Sequence, residues 1–196
     1  MERLTAEPGS GTTNTNRLRL EALSEAHAAA MLPVLDDDRL YTYIPSTRYP
    51  SVETLQTRYR HLVAGSASSE DLWWNFIVFR HESPTPIGYV QATLMPGLRL
   101  GEVAYVLSPE HWGHGYATEA LAWLMAAIGR HGGIDRVQAQ IDERNLASIA
   151  VVRRLAFTFA KTVVEETSTD SLFERSLLDF VPSDYGRGQK MSDSPK

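Results

Sequence analysis

The stretch from Glu102 to Ala127 places the strongest constraint on the fold of this chain. A short apolar run is followed by a proline bend, by Gly113 and Gly115, and by a long amphipathic segment. The apolar residues of that segment recur at helical spacing, at Ala117, Ala120, Leu121, Leu124, Met125 and Ile128. The pattern predicts a strand, a loop and a helix. Backbone N–H groups in a glycine loop at the positive end of a helix bind anions, and a diphosphate fits such a loop.

Other interpretations of the same glycines are available. A Gly-x-Gly before a helix is often only a tight turn without a ligand. A P-loop is disfavoured because no Gly-Lys-Ser/Thr follows. A dinucleotide fingerprint requires glycine or alanine where Thr118 stands, together with parallel βαβ order, and the preceding segments are typical of antiparallel hairpins.

Composition limits the class of protein. A chain of 196 residues, 43% hydrophobic and 22% charged, predicts one domain with a buried core. It contains no cysteine, which excludes disulfides, thiolate metal sites and a cysteine nucleophile. The net charge of −5 disfavours nucleic acid as a partner and slightly favours a cationic substrate such as an amine. Without a bilayer-length apolar run or a secretory N-terminal segment, we expect no membrane contact and a cytoplasmic location.

Periodicity along the rest of the chain predicts a single α+β domain over residues 15–181, between disordered segments at 1–14 and 182–196. Strands are predicted at 16–22, 73–80, 87–95, 98–107, 136–141, 157–164 and 171–180. Helices are predicted after the cap residue Ser24, with Pro33 as a point where this helix can kink or end early, from Ser51, from Ala117 and after the cap residue Asn145. The acidic run Asp36-Asp37-Asp38 is interpreted as a solvated helix end.

An aromatic segment containing Tyr41, Tyr43, Pro45 and Tyr49 connects the first two predicted helices. These tyrosines either pack in the core or, with the two helices, form a lip over a substrate site. Trp73, Trp74 and Tyr105 are interpreted as packing residues between strands rather than as pocket residues.

The ordered chain resembles the GNAT superfamily of N-acetyltransferases, in the branch of the ribosomal-protein alanine N-acetyltransferases. The resemblance rests on five motifs in this order: TNRLRL at 15–20, PIGYV at 86–90, SPEHWGHGYATEAL at 108–121, NLASI at 145–149 and LAF at 155–157. It implies a GNAT-like domain with a mixed, mostly antiparallel sheet, a splayed strand pair and about four flanking helices. It also implies acetyl-CoA as the acyl donor and no metal.

The resemblance implies which residues hold the donor. Backbone amides of Gly113, His114, Gly115, Tyr116, Ala117 and Thr118 would hold the pyrophosphate, and the pantetheine arm would lie beside Val106 and Leu107. Trp112, Asn145 and Ser148 complete the implied cofactor-binding set. Three positions depart from the family pattern: Trp112 replaces Gln or Arg, Ala156 replaces Gly, and Val152 replaces a tyrosine that protonates the leaving thiolate. Another group must therefore supply that proton.

Acyl transfer to an amine needs a polarised carbonyl, a proton for the leaving sulfur and a neutral amine. The resemblance implies that the N–H of Val106 or Leu107 polarises the carbonyl and that Ser148 faces the CoA sulfur. Alternatively, the Ser148 hydroxyl satisfies a backbone group in the first helical turn, and Asn145 is only a cap.

Glu102 is the candidate base, with Asp142 and Glu143 as alternatives that are otherwise surface carboxylates. Glu119 is interpreted as a structural acid at the positive helix end. His111 and His114 have a His-x-x-His spacing, but without a third ligand we predict no metal site.

These residues together predict an N-acetyltransferase that transfers acetyl from acetyl-CoA to a primary amine by direct attack in a ternary complex. The acceptor is either a protein N-terminus or a small-molecule amine. The alternative is a non-catalytic acyl-CoA-binding or interaction module with the same fold. A homodimer is compatible with either function.

Overall fold

The computed structural model describes residues 11–44, 46–66, 70–81, 83–165 and 168–179, and eight strands within these ranges form one sheet. The strands are β1 Thr12–Asn14, β2 Leu18–Ala22, β3 Leu72–Arg80, β4 Pro86–Met95, β5 Leu100–Leu107, β6 Arg136–Asp142, β7 Thr158–Val164 and β8 Thr169–Ser176. Their order is β1-β2-β3-β4-β5-β6-β8-β7, and every neighbouring pair is antiparallel except β5 and β6.

Four α-helices flank the sheet in these ranges: α1 Ala28–Met31, α2 Val52–Ala64, α3 Tyr116–His131 and α4 Leu146–Arg154. The Ser51 side chain caps α2 by accepting a hydrogen bond from Thr54 N, at 3.3 Å. The Asn145 side chain caps α4 through Ser148 N, at 3.1 Å. The Asn145 cap was predicted, whereas for Ser51 only the start of a helix was predicted; both side chains satisfy a free amide of a first helical turn.

The two faces of the sheet have separate cores. On one face, the apolar stripe of α3 packs with α4 and with residues of β2 to β6 and β8, around Leu121, Leu124 and Val137. On the other face, α1 and α2 pack around Leu55, Ile77 and Phe79. Successive strand residues point to opposite faces, so β5 contributes Leu107 to the first core and Val106 to the second.

The parallel contact between β5 and β6 is short. It covers only Leu100 with Arg136, Gly101 with Val137, and Glu102 with Gln138. Beyond Glu102, β5 continues to Leu107 without pairing to β6, although it stays paired with β4. β6 pairs with β8 along its whole length. A gap therefore opens between the two central strands, which confirms the predicted splayed pair.

The α+β class, the mixed sheet and the four helices are confirmed, but several predicted boundaries are wrong. Thr12–Asn14 form a strand with residues 19–21, so the predicted start of order at Thr15 is too late. The helix predicted after Ser24 is broken into the short helix α1 and flanking 3₁₀ turns, because Pro33 has no N–H to donate. The third hairpin strand begins at Leu100 rather than Leu98, after a 3₁₀ turn at Pro96–Leu98.

Other predictions lie outside the described residues. These are the disordered segments over residues 1–10 and 182–196, and Pro45 in the aromatic segment. The predicted end of the last strand at Phe180 also lies outside them, and β8 itself ends at Ser176. Within the described part of the chain, no helix is long and apolar enough to cross a membrane.

Candidate active site

One wall of the gap is the end of β5, which pairs with β4 on one side and lacks a partner strand on the side facing β6. Ser108 N donates to Ile87 O at 2.8 Å, and this bond fixes the alternation of the β4–β5 ladder. Every second residue of β5 then bonds to β4, including Val106, which faces Tyr89. Leu107 and Tyr105 direct their backbone N–H groups the other way, into the gap. Of the two predicted carbonyl-polarising amides, the register therefore favours Leu107 over Val106.

The approach of β4 to this wall requires glycine at position 88. A Cβ at Gly88 would lie 2.1 Å from Val106 O and 2.7 Å from the Leu107 Cα. Such distances do not occur between non-bonded atoms, so any larger residue would push the strands apart. Gly88 thus keeps the end of β5 in place beside the gap.

The loop between β5 and α3 presents a row of free amides. Among the residues that the structure describes, none accepts a hydrogen bond from the backbone N–H groups of Gly113 to Thr118. Gly113 and Gly115 have φ of 76° and 78°, a left-handed conformation that favours glycine. The Thr118 hydroxyl is also buried and has no hydrogen-bond partner among the described residues. These groups adjoin the positive end of a 16-residue helix, which is the arrangement that binds a phosphate.

Arg17 and Glu119 fasten this loop to the sheet. The Glu119 carboxylate accepts hydrogen bonds from Arg17 N at 2.8 Å, Arg17 Nε at 2.7 Å and Thr15 Oγ1 at 2.6 Å. Arg17 Nη1 also donates to His114 O at 2.8 Å, and its guanidinium lies 4.8 Å from the centre of the Tyr116 ring. The buried environment of Glu119 disfavours its ionisation, but the hydrogen bonds from Thr15 and Arg17 outweigh burial and lower its pKa.

The structural role predicted for Glu119 therefore has specific partners that sequence reasoning missed. Thr15 and Arg17 are more than one hundred positions away, and no local pattern links them to α3. The one signal was the TNRLRL motif, which contains both residues.

The aromatic residues of the loop contact one another. The Trp112 indole donates to Leu107 O at 2.7 Å and so occupies the last carbonyl of β5. His114 stacks on Tyr116 at 5.7 Å between ring centres, and His111 lies 6.3 Å from the same ring. Burial, with a smaller effect of Arg80, lowers the pKa of His111. In the described residues, these histidines belong to no group of three metal-ligating side chains.

The other wall of the gap is the first turn of α4. Tyr105 donates from its hydroxyl to Ser148 O at 3.0 Å, which ties β5 to α4 across the gap. Burial raises the pKa of Tyr105 to about 12, although the bond to Ser148 opposes the rise. The Ser148 hydroxyl makes no hydrogen bond to any residue in the described ranges, so it is not used as a backbone partner. Val152 is fully buried in α4 and offers no proton.

The three candidate bases differ in their surroundings. Asp142 is buried and bound by Arg144, whose side-chain hydrogen bonds lower the pKa of that carboxyl. Glu143 is exposed at the start of the turn before α4. Glu102 is exposed and accepts a hydrogen bond from Gln138 Nε2 at 2.6 Å. Glu102 precedes Val106 by four residues on the same face of β5, which is about 13 Å along a strand.

A cavity of about 80 Å³ lies on the α1 and α2 face of the sheet. It reaches Val106, the residue before the last one of β5. Tyr41 and Tyr49 of the aromatic segment line it together with Tyr59 of α2 and Tyr89 of β4. This arrangement favours the lip interpretation of the aromatic segment. Trp73, Trp74 and Tyr105 do not line this cavity.

Comparison with known proteins agrees with the fold and the loop. Residues 17–158 match the family model of the acetyltransferase (GNAT) domain. The uncharacterized N-acetyltransferase YoaA of Bacillus subtilis is 23% identical over 144 residues, which cover 73% of this chain and 80% of that protein.

Two solved structures share the fold. The RimL ribosomal L7/L12 alpha-N-protein acetyltransferase in complex with coenzyme A has a TM-score of 0.76 and 19% identity, with 85% of this chain and 98% of that chain covered. The ribosomal-protein-S5-alanine acetyltransferase from Vibrio fischeri has a TM-score of 0.74 and 18% identity, with 88% and 100% covered. The glycine loop, the splayed strands and the match over residues 17–158 lead to one assignment. This chain belongs to the GNAT acetyltransferase family.

Proposed function

We propose that this acyltransferase is an N-acetyltransferase that uses acetyl-CoA and catalyses direct attack by a primary amine in a ternary complex. The observation that carries the proposal is the row of backbone N–H groups from Gly113 to Thr118 that have no acceptor among the described residues. This row follows the end of β5, next to the gap between β5 and β6. An anion site next to an exposed strand edge suits a ligand with a diphosphate at one end and a thioester arm at the other.

The donor would be held mainly by main-chain groups. The amides of residues 113–118 and the Thr118 hydroxyl would hold the diphosphate, and the free edge of β5 would pair with the pantetheine amides. The neutral side chain of Trp112 leaves this amide-based binding intact. Asn145 uses its Oδ1 as a helix cap and keeps its amide N–H groups for the pantetheine.

In the proposed reaction, Leu107 N–H donates to the thioester carbonyl oxygen and stabilises the charge that develops there. Ser148 passes a proton to the departing sulfur and regains one from water, since its hydroxyl has no partner among the described residues and its turn is tied to β5 by Tyr105. Glu102 is too far from Val106 for direct contact, so its role would be to take the amine proton through water. An α-amino group with a pKa of about 8 needs little help to lose that proton.

Two features support a peptide N-terminus or a small amine as the acceptor. The cavity is lined in part by Val106, near the end of β5, and the RimL relative is named as an alpha-N-protein acetyltransferase. No metal takes part in this proposal. The homodimer and the cytoplasmic location stay predictions.

A thiol-release assay tests the proposal. The full chain is mixed with acetyl-CoA and a panel of N-terminal peptides, amino acids, amino sugars and polyamines, and CoA binding is measured separately by calorimetry. We expect binding of CoA and release of its thiol with at least one acceptor. Binding without turnover on any acceptor would instead support the non-catalytic acyl-CoA-binding module, and absence of CoA binding would remove both functions.

A further inference from the structure

The cavity at the end of β5 has an unusual balance of charge. Its described lining includes four tyrosines, several aliphatic residues and one charged side chain, Arg58. Arg58 is exposed and forms no salt bridge with any described residue, whereas the nearby Arg48 is paired with Asp36 and Asp38. No carboxylate belongs to the described lining. Arg58 can therefore pair with a negative charge on a ligand, but the described lining offers no carboxylate to pair with a positive charge on a ligand.

A buried hydroxyl points to a hydrogen-bond acceptor in the ligand. Tyr59 is 5% exposed, and its Oη has no partner in the described part of the chain. Burial, together with Tyr89 and Tyr49, raises the pKa of Tyr59, so the phenol remains protonated and can donate. An unpaired buried hydroxyl destabilises the folded protein, and a ligand oxygen that accepts a hydrogen bond from Tyr59 would remove this penalty.

The size of the cavity limits the apolar part of the ligand. An engineered apolar cavity of about 150 Å³ takes up benzene. The space here is about 80 Å³, which is near half of that volume. An aliphatic side chain of about four carbons, such as that of leucine, is the matching size. Leu35, Leu40 and Ile77 supply apolar contacts for it.

We propose that the acceptor is an amine with a compact aliphatic side chain and a nearby carboxylate, with the carboxylate bound by Arg58 and Tyr59 and the amine at Val106. This proposal rests on the proposed function, and it excludes polyamines as preferred acceptors. Two sources share this chemistry: a free α-amino acid, or a peptide with an acidic residue after an aliphatic N-terminal residue.

Binding and turnover are measured with matched ligands. Calorimetry on CoA-bound protein compares N-acetyl-leucine with N-acetyl-leucinamide, and the kinetic assay compares leucine, leucinamide, the peptides Leu-Glu-Ala and Leu-Gln-Ala (both amidated), and spermidine. We expect a preference of about tenfold for the carboxylate in at least one of the matched pairs. A preference confined to leucine or to Leu-Glu-Ala identifies the source.

Variants assign this preference to the cavity. R58Q should abolish it, while R60Q should not, because Arg60 is exposed on the same helix and pairs with Glu25 instead. Y59F should weaken carboxylate binding several-fold and raise the melting temperature, because it removes an unsatisfied buried hydroxyl. If the Tyr59 hydroxyl had a purely structural role, Y59F would lower the melting temperature instead of raising it.

The outcomes separate the two proposals. If N-acetyl-leucine binds more tightly than N-acetyl-leucinamide but no amine in the kinetic assay is acetylated, the carboxylate-binding site is supported and the transferase function is overturned. Turnover that is fastest with spermidine, or a carboxylate preference that survives R58Q, would overturn the acceptor site and leave the transferase standing.

Discussion

Arg17 joins both carboxylate oxygens of Glu119, with Arg17 N on one oxygen at 2.8 Å and Arg17 Nε on the other at 2.7 Å. The pair lies directly behind the glycine loop, and Arg17 continues to His114 O. A buried carboxylate at the start of α3 thus fixes the loop that carries the amides of residues 113–118. Through these bonds Glu119 stabilises the loop.

Replacing Glu119 by glutamine should weaken CoA binding. The E119Q variant loses the charge-assisted bonds to Arg17, and the loop amides lose their fixed direction. We expect the Kd for CoA, measured by calorimetry, to rise about tenfold, which corresponds to roughly 1.4 kcal/mol. E110Q is the matched control, because Glu110 is exposed in the turn before the same loop and the charge change is equal. Equal effects of the two variants would contradict a positioning role.

The same carboxylate should make stability depend on pH. The pKa of Glu119 in the folded protein lies below its ordinary value of 4.5. Its contribution is therefore fully present above pH 4.5 and is lost as the pH falls through the folded-state pKa. Urea unfolding from pH 7 to 3 should show a free-energy difference between wild type and E119Q that shrinks below pH 4.5. A constant difference over this range would show that the carboxylate is not the cause.

Adding a methyl group at Gly88 should disrupt the wall of the gap. The new Cβ would overlap Val106 O, and the end of β5 would have to move. We expect G88A to lower the free energy of unfolding by about 3 kcal/mol, measured by urea denaturation. G129A is the control, since a Cβ there meets nothing within 4 Å and alanine favours a helix, so that variant should gain about 0.5–1 kcal/mol. A G88A variant as stable as wild type would refute the close contact.

Removing the Tyr105 hydroxyl should loosen α4 from β5. Y105F keeps the packed ring but loses the bond to Ser148 O. We expect a loss of about 1 kcal/mol in the free energy of unfolding and a several-fold lower kcat, because Ser148 is no longer held beside the gap. Thermal unfolding and the thiol-release assay measure the two effects. An unchanged kcat at reduced stability would limit Tyr105 to packing.

Ser148 should matter for turnover more than for donor binding. If its hydroxyl protonates the leaving thiolate, S148A should lower kcat by about a hundredfold while the Kd for CoA stays within a few-fold of wild type. S176A serves as the control, because Ser176 ends β8 and is exposed. Equal losses in kcat and in CoA affinity would assign Ser148 to binding instead.

Features that depend on local sequence were predicted correctly. The helix α3 follows from the apolar spacing that begins at Ala117, the start of α2 was predicted at Ser51, and the cap of α4 follows from Asn145. The loop follows from Gly113 and Gly115, and the structure shows both in the left-handed conformation that glycine tolerates. Periodicity, capping and backbone freedom act over a few residues, so they can be predicted from the local sequence. The break at Pro33 was foreseen in kind but not in extent.

The site itself depended on contacts between distant parts of the chain. The sequence predicted Glu119 as structural but not its bonds to Thr15 and Arg17, and it left Leu107 and Val106 equivalent until the register of β4 against β5 separated them. The net charge of −5 favoured a cationic acceptor, yet the described lining of the cavity contains Arg58 and no carboxylate. Neighbouring residues determine local structure, whereas burial, strand register and the charge of a cavity are decided only when distant residues pack together.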